Sequence, residues 1–431
     1  MSKTYRPYLP TQDFLLPPSL SEWLPENHLA YFVSDVVDQL ELSAIASVYE
    51  KEDRGQPPYH PQMMTKILVY GYCVGVFSSR RIQKRLVEDV AFRVLAAGNQ
   101  PDFRTISDFR KLHLEALSHL FEQVLQISLD AGMIKLGRVA LDGSKIKANA
   151  SKHKAMSYGR MKETQKRLRA EVKEWLEKAE AADAEEDGRY GRERSGDEIP
   201  AELARRETRL QKIRQAKKAL EERAREAAQD QPEPTEKAAP KDKDQYNFTD
   251  PESRIMKSGD GFVQGYNVQI AVEGEFQLIV GHAVTQAAND KQQMEPLVQA
   301  ILEQSGQKPE QVLTDSGYCS ENNLEFLKEA EIEGFVAVEK QKHGVGPEPC
   351  KPGPLPQGAT LVEGMKRKLQ TKAGAAVYAE RKTIVEPVFG QIKQARGFRQ
   401  FLLRGVNKVQ GEWSLVCLTH NILKIHRICY E

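Results

Sequence analysis

At about residue 136 the hydrophobic period of this chain switches from helical spacing to strand alternation, which no all-helical fold accommodates. Ahead of the switch, Met63 to Gly75 reads as an apolar helix and the Val76–Phe77–Ser78–Ser79 stretch breaks it. Ser79 is then placed to cap a second helix, SSRRIQKRLVEDVAFRVLA, whose first turns are basic. This has the outline of a helix-turn-helix, one that many core helix pairs share. Thr105 and Asp108 in RTISDFRKLH form a capping-box pattern opening a further amphipathic helix, with Leu112, Leu117, Phe121, Leu125 and Leu129 near helical spacing. After the switch, GRVALDGSKI reads as a strand ending at Asp142.

The strand pattern is then interrupted. From about Lys154 to Asp244 roughly half the residues are charged, of both signs, with apolar seams at Leu168, Val172, Trp175 and Ala179 and at Leu210, Ile213, Leu220 and Ala224. The Gly- and charge-rich DGRYGRERSGDEIP between the seams implies an antiparallel helical hairpin, and QPEPTEKAAPKDKDQ a flexible tether. Strands resume in GFVQGYNVQIAVE and FQLIVGHAVTQ, joined as a hairpin at Glu273–Gly274–Glu275. A helix around Lys291 to Glu303, the strand QVLTD, a helix around Asn322 to Ala330, the strand GFVAV, a Gly/Pro-rich loop from His343 to Gly358 and a long helix through Val377, Ile384, Val385, Phe389 and Ile392 complete the order. That order is α/β, with the succession of a ribonuclease H-like domain with a mixed sheet, interrupted once by the charged helical hairpin and preceded by an all-helical N-terminal domain. The expected division is 1–135 helical, 136–395 α/β with the insertion at 154–244, and 396–431 a basic helical tail.

Charge narrows the partner. The 431 residues carry a net charge of +1, yet residues 364–427 hold 13 Lys/Arg against 3 acids, a local surplus suited to phosphates. The same surplus on a solvated helical face would be bland. The apolar stretch ILVYGYCVGVF is too short to cross a bilayer of about 30 Å, so no membrane partner is expected. No apolar segment follows the basic start, so no signal peptide is expected. Five scattered cysteines lack zinc-site or disulfide spacing and suggest a reducing, cytoplasmic setting. Phosphate-loop patterns are absent. His282 and His420 fall in strand and helix patterns without metal-ligand partners and read as packed residues.

Three acids occupy the elements where such a fold would hold metal ions for phosphoryl transfer: Asp142 and Asp315 at strand ends, and Glu386 on the final helix of the domain. Each has a structural alternative. Asp142–Gly143 is also a hairpin-turn signal, Asp315 also a cap, and Glu386 also a solvated glutamate. Asp290, Glu295 and Asp250 fit DNA contacts or capping better than metal ligation.

The strings ALDGSKIKANASKHK, DPESRIMKSGDGFVQGYNVQIAVE, VLTDSGYCSENN and YAERKTIVEPVFGQIK resemble those of prokaryotic insertion-sequence transposases of the Asp-Asp-Glu type, and YRPYLPTQDFLLPPSLSEWLPENHLAYFV with PYHPQMMTKILVYGY resembles their N-terminal helical region. The resemblance implies that Asp142, Asp315 and Glu386 are the catalytic, metal-binding triad, holding two Mg2+ or Mn2+ ions. It aligns Tyr378, Arg381, Glu386 and Lys393 with the family's Tyr-Arg-Glu-Lys signature. Four residues rather than three separate Arg381 from Glu386, which turns Arg381 about 100° around the helix and weakens its assignment more than that of Glu386. Pro387 either opens this helix or kinks it. DNA contacts are expected from Tyr378, Arg381, Lys393, Arg396, Arg399 and Lys145. The implied function is cleavage and strand transfer at the terminal inverted repeats of an element, on double-stranded end and target DNA, by a homodimer. A DNA-binding protein with an inactive transposase-derived domain is the alternative.

Overall fold

The computed structural model describes residues 19–50, 57–190, 201–229, 239–259, 261–339, 350 and 358–430. Helices come first: α1 (Leu29–Gln39), α2 (Ser43–Ala46), α3 (Pro61–Cys73), α4 (Ser79–Glu88), α5 (Val90–Leu95), α6 (Phe103–Leu112) and α7 (Leu114–Asp130). Two expectations change here. The basic helix after Ser79 is two helices, because Asp89 adopts an extended backbone and its carboxylate accepts from Ala91 N and Phe92 N, capping α5. Asp102, not Thr105, caps the next helix, accepting from Arg104 N at 2.6 Å and Thr105 N at 3.0 Å. The amphipathic run that follows also divides, at His113, which leaves Leu112 exposed while Leu117, Phe121 and Leu125 are buried.

The α/β part comprises β1 (Arg138–Lys147), β2 (Ala155–Ser157), α8 (Tyr158–Tyr190), α9 (Ala201–Gln229), β3 (Gln245–Asn247), β4 (Arg254–Ser258), β5 (Gly261–Glu273), β6 (Ile279–Thr285), α10 (Met294–Ser305), β7 (Gln311–Thr314), α11 (Glu321–Glu329), β8 (Glu333–Val336), α12 (Leu361–Gln370), α13 (Lys372–Gly390) and α14 (Val406–Tyr430). In the main sheet β4 and β6 share one side of β5, followed by β1, β7 and β8. β1 runs antiparallel to β5 and parallel to β7, and β7 parallel to β8. This mixed sheet has the ribonuclease H-like order expected. The β5–β6 connection is held by Glu273, whose buried carboxylate accepts from the backbone N–H groups of Glu275, Phe276 and Leu278. The loop expected over residues 343–358 lies almost wholly outside the described residues.

One apolar cluster runs from Ala30 and Val33 of α1 through the sheet to Ile422 of α14. The stretch expected as a basic helical tail is instead an interior helix, buried all round from Gly411 to Ile422. Its polar side chains are satisfied inside. Glu412 accepts from Tyr72 Oη, Leu402 N and Leu403 N, and Asn421 exchanges two 2.8 Å bonds with the backbone of Ile279 on β6. His420 lies against Gln277 O at 3.0 Å, and burial pushes its imidazole down to about 3; His282 is likewise buried and pushed down to about 4. Among the described residues no helix is long and apolar enough to cross a membrane.

The charged insertion is the antiparallel pair α8 and α9, with its own small core of Tyr158, Met161, Leu168, Leu210, Ile213 and Leu220. Part of its tip and most of the tether that follows lie outside the described residues. Tyr158 N donates to Asp244 O at 2.8 Å, so the hairpin leaves and re-enters the domain at nearly one point. Replacing residues 158–243 by a short Gly/Ser linker should therefore leave a soluble protein with a single cooperative thermal transition by calorimetry. Insoluble expression would mean that the hairpin completes the main core.

Candidate active site

β1 and β7 pair in parallel only as far as Leu141 with Thr314. There Asp315 leaves β7 and caps the turn Ser316–Tyr318, its carboxylate accepting from Gly317 N at 2.8 Å, while β1 continues along β5 to Lys147. The opening beside the carboxyl end of β7 is the place where open α/β sheets present ligand-binding groups. Asp142 is therefore a mid-strand residue, not a strand end, and the Asp-Gly pair is not a turn. Asp142 and Gly143 remain in register with Ile270 and Gln269 because β5 continues beside them. Gly143 is demanded by crowding, since a Cβ there would sit 2.5 Å from Gln269 Nε2 and 2.7 Å from Asp290 Oδ1.

Burial, with the Asp315 and Asp290 charges adding to it against Arg381, pushes the Asp142 carboxyl up to about 6. Arg381 Nη1 lies 3.6 Å from Asp142 Oδ2, and the guanidinium is only 8% exposed. Burial opposes its charge, but Asp142, Tyr378 and Asp315 outweigh it and hold the group charged. Its Nε and Nη1 atoms are buried without a hydrogen-bond partner. The extra residue before Glu386 thus does not remove Arg381 from the site. Half-buried Tyr378 stands beside it, its phenol raised by burial.

Glu386 is on α13 as expected, but exposed, and no hydrogen bond or ion pair joins it to another described residue. Among the described residues no three His, Cys, Asp or Glu side chains converge closely enough to hold a metal ion. Pro387 neither opens nor ends the helix, which runs on to Gly390. The Thr383 carbonyl, which a proline four residues on cannot serve, accepts instead from Gln277 Nε2 at 2.8 Å. A π-helical turn, Gln391–Ala395, follows and carries Lys393, whose ammonium donates to Ser144 Oγ two residues beyond Asp142. Glu386 lies between Arg381 and Lys393 on the chain, and both of these reach β1.

The basic residues assigned to DNA divide. Arg396 is withdrawn: it is 7% exposed and donates to Val416 O at 3.2 Å and Thr419 Oγ1 at 2.7 Å, inside the core. Arg399 is exposed, its Nε donating to Lys393 O at 3.1 Å. Lys145 is turned to Asp290 Oδ1 at 3.5 Å.

Asp290, which the sequence suggested for DNA contacts or capping, is instead held inside the site. Its Oδ1 accepts from Asn267 at 2.6 Å and Gln269 at 2.7 Å as well as Lys145, and its Oδ2 would lie 3.3 Å from a Cβ at Gly317. It therefore stands between the Asp142 strand and the Asp315 turn. A lone Asp just ahead of a helix carries no mark of this, because the placement depends on β5 and β1 meeting there. By contrast Asp250 is buried and accepts from Tyr266 Oη at 2.9 Å, and Glu295 is exposed on α10.

Residues 18–112 match a family model described as a transposase domain (DUF772), and residues 233–422 match the transposase DDE domain. The second match contains Asp290, Asp315, Arg381 and Glu386 and begins after Asp142. No curated protein and no solved structure matches the chain.

The electrostatics yield a test. A folded carboxyl raised to about 6 binds its proton more tightly than in the unfolded chain, so its ionisation removes stability as pH rises through about 4 to 6 and does nothing at lower pH. Asp142→Asn mimics the protonated form. In EDTA at pH 7.5 the variant should be more stable than the parent by about 2 kcal/mol in urea melts, the advantage fading as pH falls from about 6 to about 4 and absent below that. An equal or lower stability at pH 7.5 would refute the crowding of negative charge at this site.

Proposed function

Because this chain belongs to the insertion-sequence transposases of the Asp-Asp-Glu type, we propose that it binds the terminal inverted repeats of its element as a homodimer and catalyses strand cleavage and strand transfer on double-stranded DNA in the cytoplasm. The observation that carries this reading is the meeting of Asp142 and Asp315 beside a buried Arg381 with two unsatisfied N–H groups. Two carboxylates that share one guanidinium suit a hard divalent cation, and a buried guanidinium Nε without a hydrogen-bond partner suits a phosphate oxygen.

Transposases of this family work with a divalent metal. Oxygen-only donors and a carboxyl pushed up by burial, with the Asp315 and Asp290 charges adding to it, fit Mg2+ or Mn2+. Asp142, Asp315 and Glu386 would hold such ions, which would supply charge neutralisation at the attacking and leaving oxygens. Arg381 offers its Nε–H to the scissile phosphate while Nη1 stays beside Asp142, and Tyr378 braces the guanidinium. Lys393 and Arg399 bind flanking phosphates without reading sequence. Asp290 anchors the Asp142 strand to the Asp315 turn through its amide and lysine partners. The attacking group is water in the first step and the freed 3′ hydroxyl in the second, so no covalent protein intermediate is required.

One observation favours the inactive-domain alternative: Glu386 is exposed and apart from the two aspartates. Mg2+-dependent nicking of a duplex carrying the element end decides between the readings. The parent protein should nick it, and Asp315→Asn and Glu386→Gln should each lower the rate by about a thousandfold or more, while binding to the same duplex in EDTA stays within a few-fold. Nicking by Glu386→Gln near the parent rate would remove Glu386 from the site. Absence of nicking by the parent protein would favour the inactive domain.

A further inference from the structure

A cleft of about 530 Å³ opens at the base of the helical hairpin, within the range of ligand sites. Lys154 and Arg160 stand on one side and Arg209 and Lys212 of α9 on the other. Tyr246 and Phe248 also line it, their rings edge to face with centroids 5.5 Å apart. Among the described residues no acid lines the cleft, in a chain with 62 basic and 61 acidic residues. Other cations of the hairpin do meet acids, as in Lys162–Asp242 at 2.9 Å, Arg206–Glu171 at 3.3 Å and Lys173–Glu177 at 3.5 Å. Among the described residues no ion pair holds Lys154, Arg160, Arg209 or Lys212. Cations left without counter-ions around an aromatic surface point to an anionic ligand with a flat apolar part.

The cleft continues at both ends. Along α9, Arg205 joins Arg209 and Lys212 in a groove of about 370 Å³. On the other side Lys152, next to His153 of the cleft, shares a recess of about 290 Å³ with Lys147, again without an acid. Lys147 ends β1, five residues past Asp142 and about 17 Å along an extended strand. A free nucleotide would need no such approaches, whereas a strand with a phosphate at every step would use them all.

We propose that this cleft binds one unstacked nucleotide of a DNA strand leaving the catalytic acids, its phosphates on Arg209 and Lys212 and its base against Tyr246 and Phe248. The proposal rests on DNA being the substrate. The hairpin is then a strand-holding arm, and its binding does not depend on the metal.

Fluorescence anisotropy in EDTA across a salt series, with an oligo-dT strand and a random-sequence duplex as probes, tests it. Arg209→Ala/Lys212→Ala should flatten the log affinity against log salt slope by about 1.4 on the strand and about 1.8 on the duplex, the share of two released counter-ions. Arg209→Lys/Lys212→Arg should keep the parent slope. Phe248→Leu retains an apolar side chain and should weaken oligo-dT about tenfold with the slope unchanged. An unaltered slope in the double alanine variant, or oligo-dT bound by Phe248→Leu as tightly as by the parent, would overturn the proposal. A parent protein that binds neither probe at low salt would instead refute the transposase reading itself.

Discussion

The ladder that holds β1 between β5 and β7 is the constraint on which the site depends. Its parallel half ends at Leu141, and its antiparallel half runs on to Gly265 opposite Lys147. That mismatch leaves Asp142 beside an opening without loosening its backbone. Alternation then sends Asp142 and Ser144 towards Arg381 and Lys393, and Gly143 and Lys145 towards Asp290. A slip of one residue in the β1–β5 register would exchange the two sets and drive a side chain into the space that Gly143 leaves empty.

The helices around the sheet are fixed by interior polar contacts as well as by apolar packing. Glu412 on α14 ties Tyr72 of α3 to the backbone at Leu402 and Leu403, and Arg110 of α6 donates to the same tyrosine at 3.1 Å. Burial raises the Glu412 carboxyl, while Arg110 and the backbone donors oppose that rise. Such a network is stable only when complete, so it specifies one arrangement of the N-terminal helices against the last helix. Gly75, at φ 74° and with its would-be Cβ 2.6 Å from Arg396 O, permits the close approach on that side.

Element order was legible in the sequence because alternation and helical spacing are local properties. The strands around Val139, Val268 and Val312, the Glu273–Glu275 connection and the two arms of the insertion all follow from period and turn chemistry. Helix ends were less legible, since Asp89 and Asp102 compete with equally plausible caps nearby. Least legible was the content of the site. Arg381 seemed displaced by the spacing of its motif, yet the contact of α13 with β1 aims it at Asp142. The place of Asp290 in the site was not legible, because it comes from three partners on two strands distant in sequence.

Charge shows why a run of basic residues is a poor map of a phosphate-binding surface. The surplus at residues 364–427 is real in sequence, but a cation can serve a ligand only if the fold has not already committed it. Arg396 is spent on Val416 and Thr419, and its desolvation is severe enough to lower its pKa to about 10. Lys393 has Ser144. The charge-balanced insertion, which looked electrostatically neutral, instead sets Lys154, Arg160, Arg209 and Lys212 around one cleft at its base, whereas Arg167, Lys173 and Lys218 along its arms each meet an acid four residues on. Net charge over a segment is an average, and counter-ion release depends on which individual charges remain open to solvent.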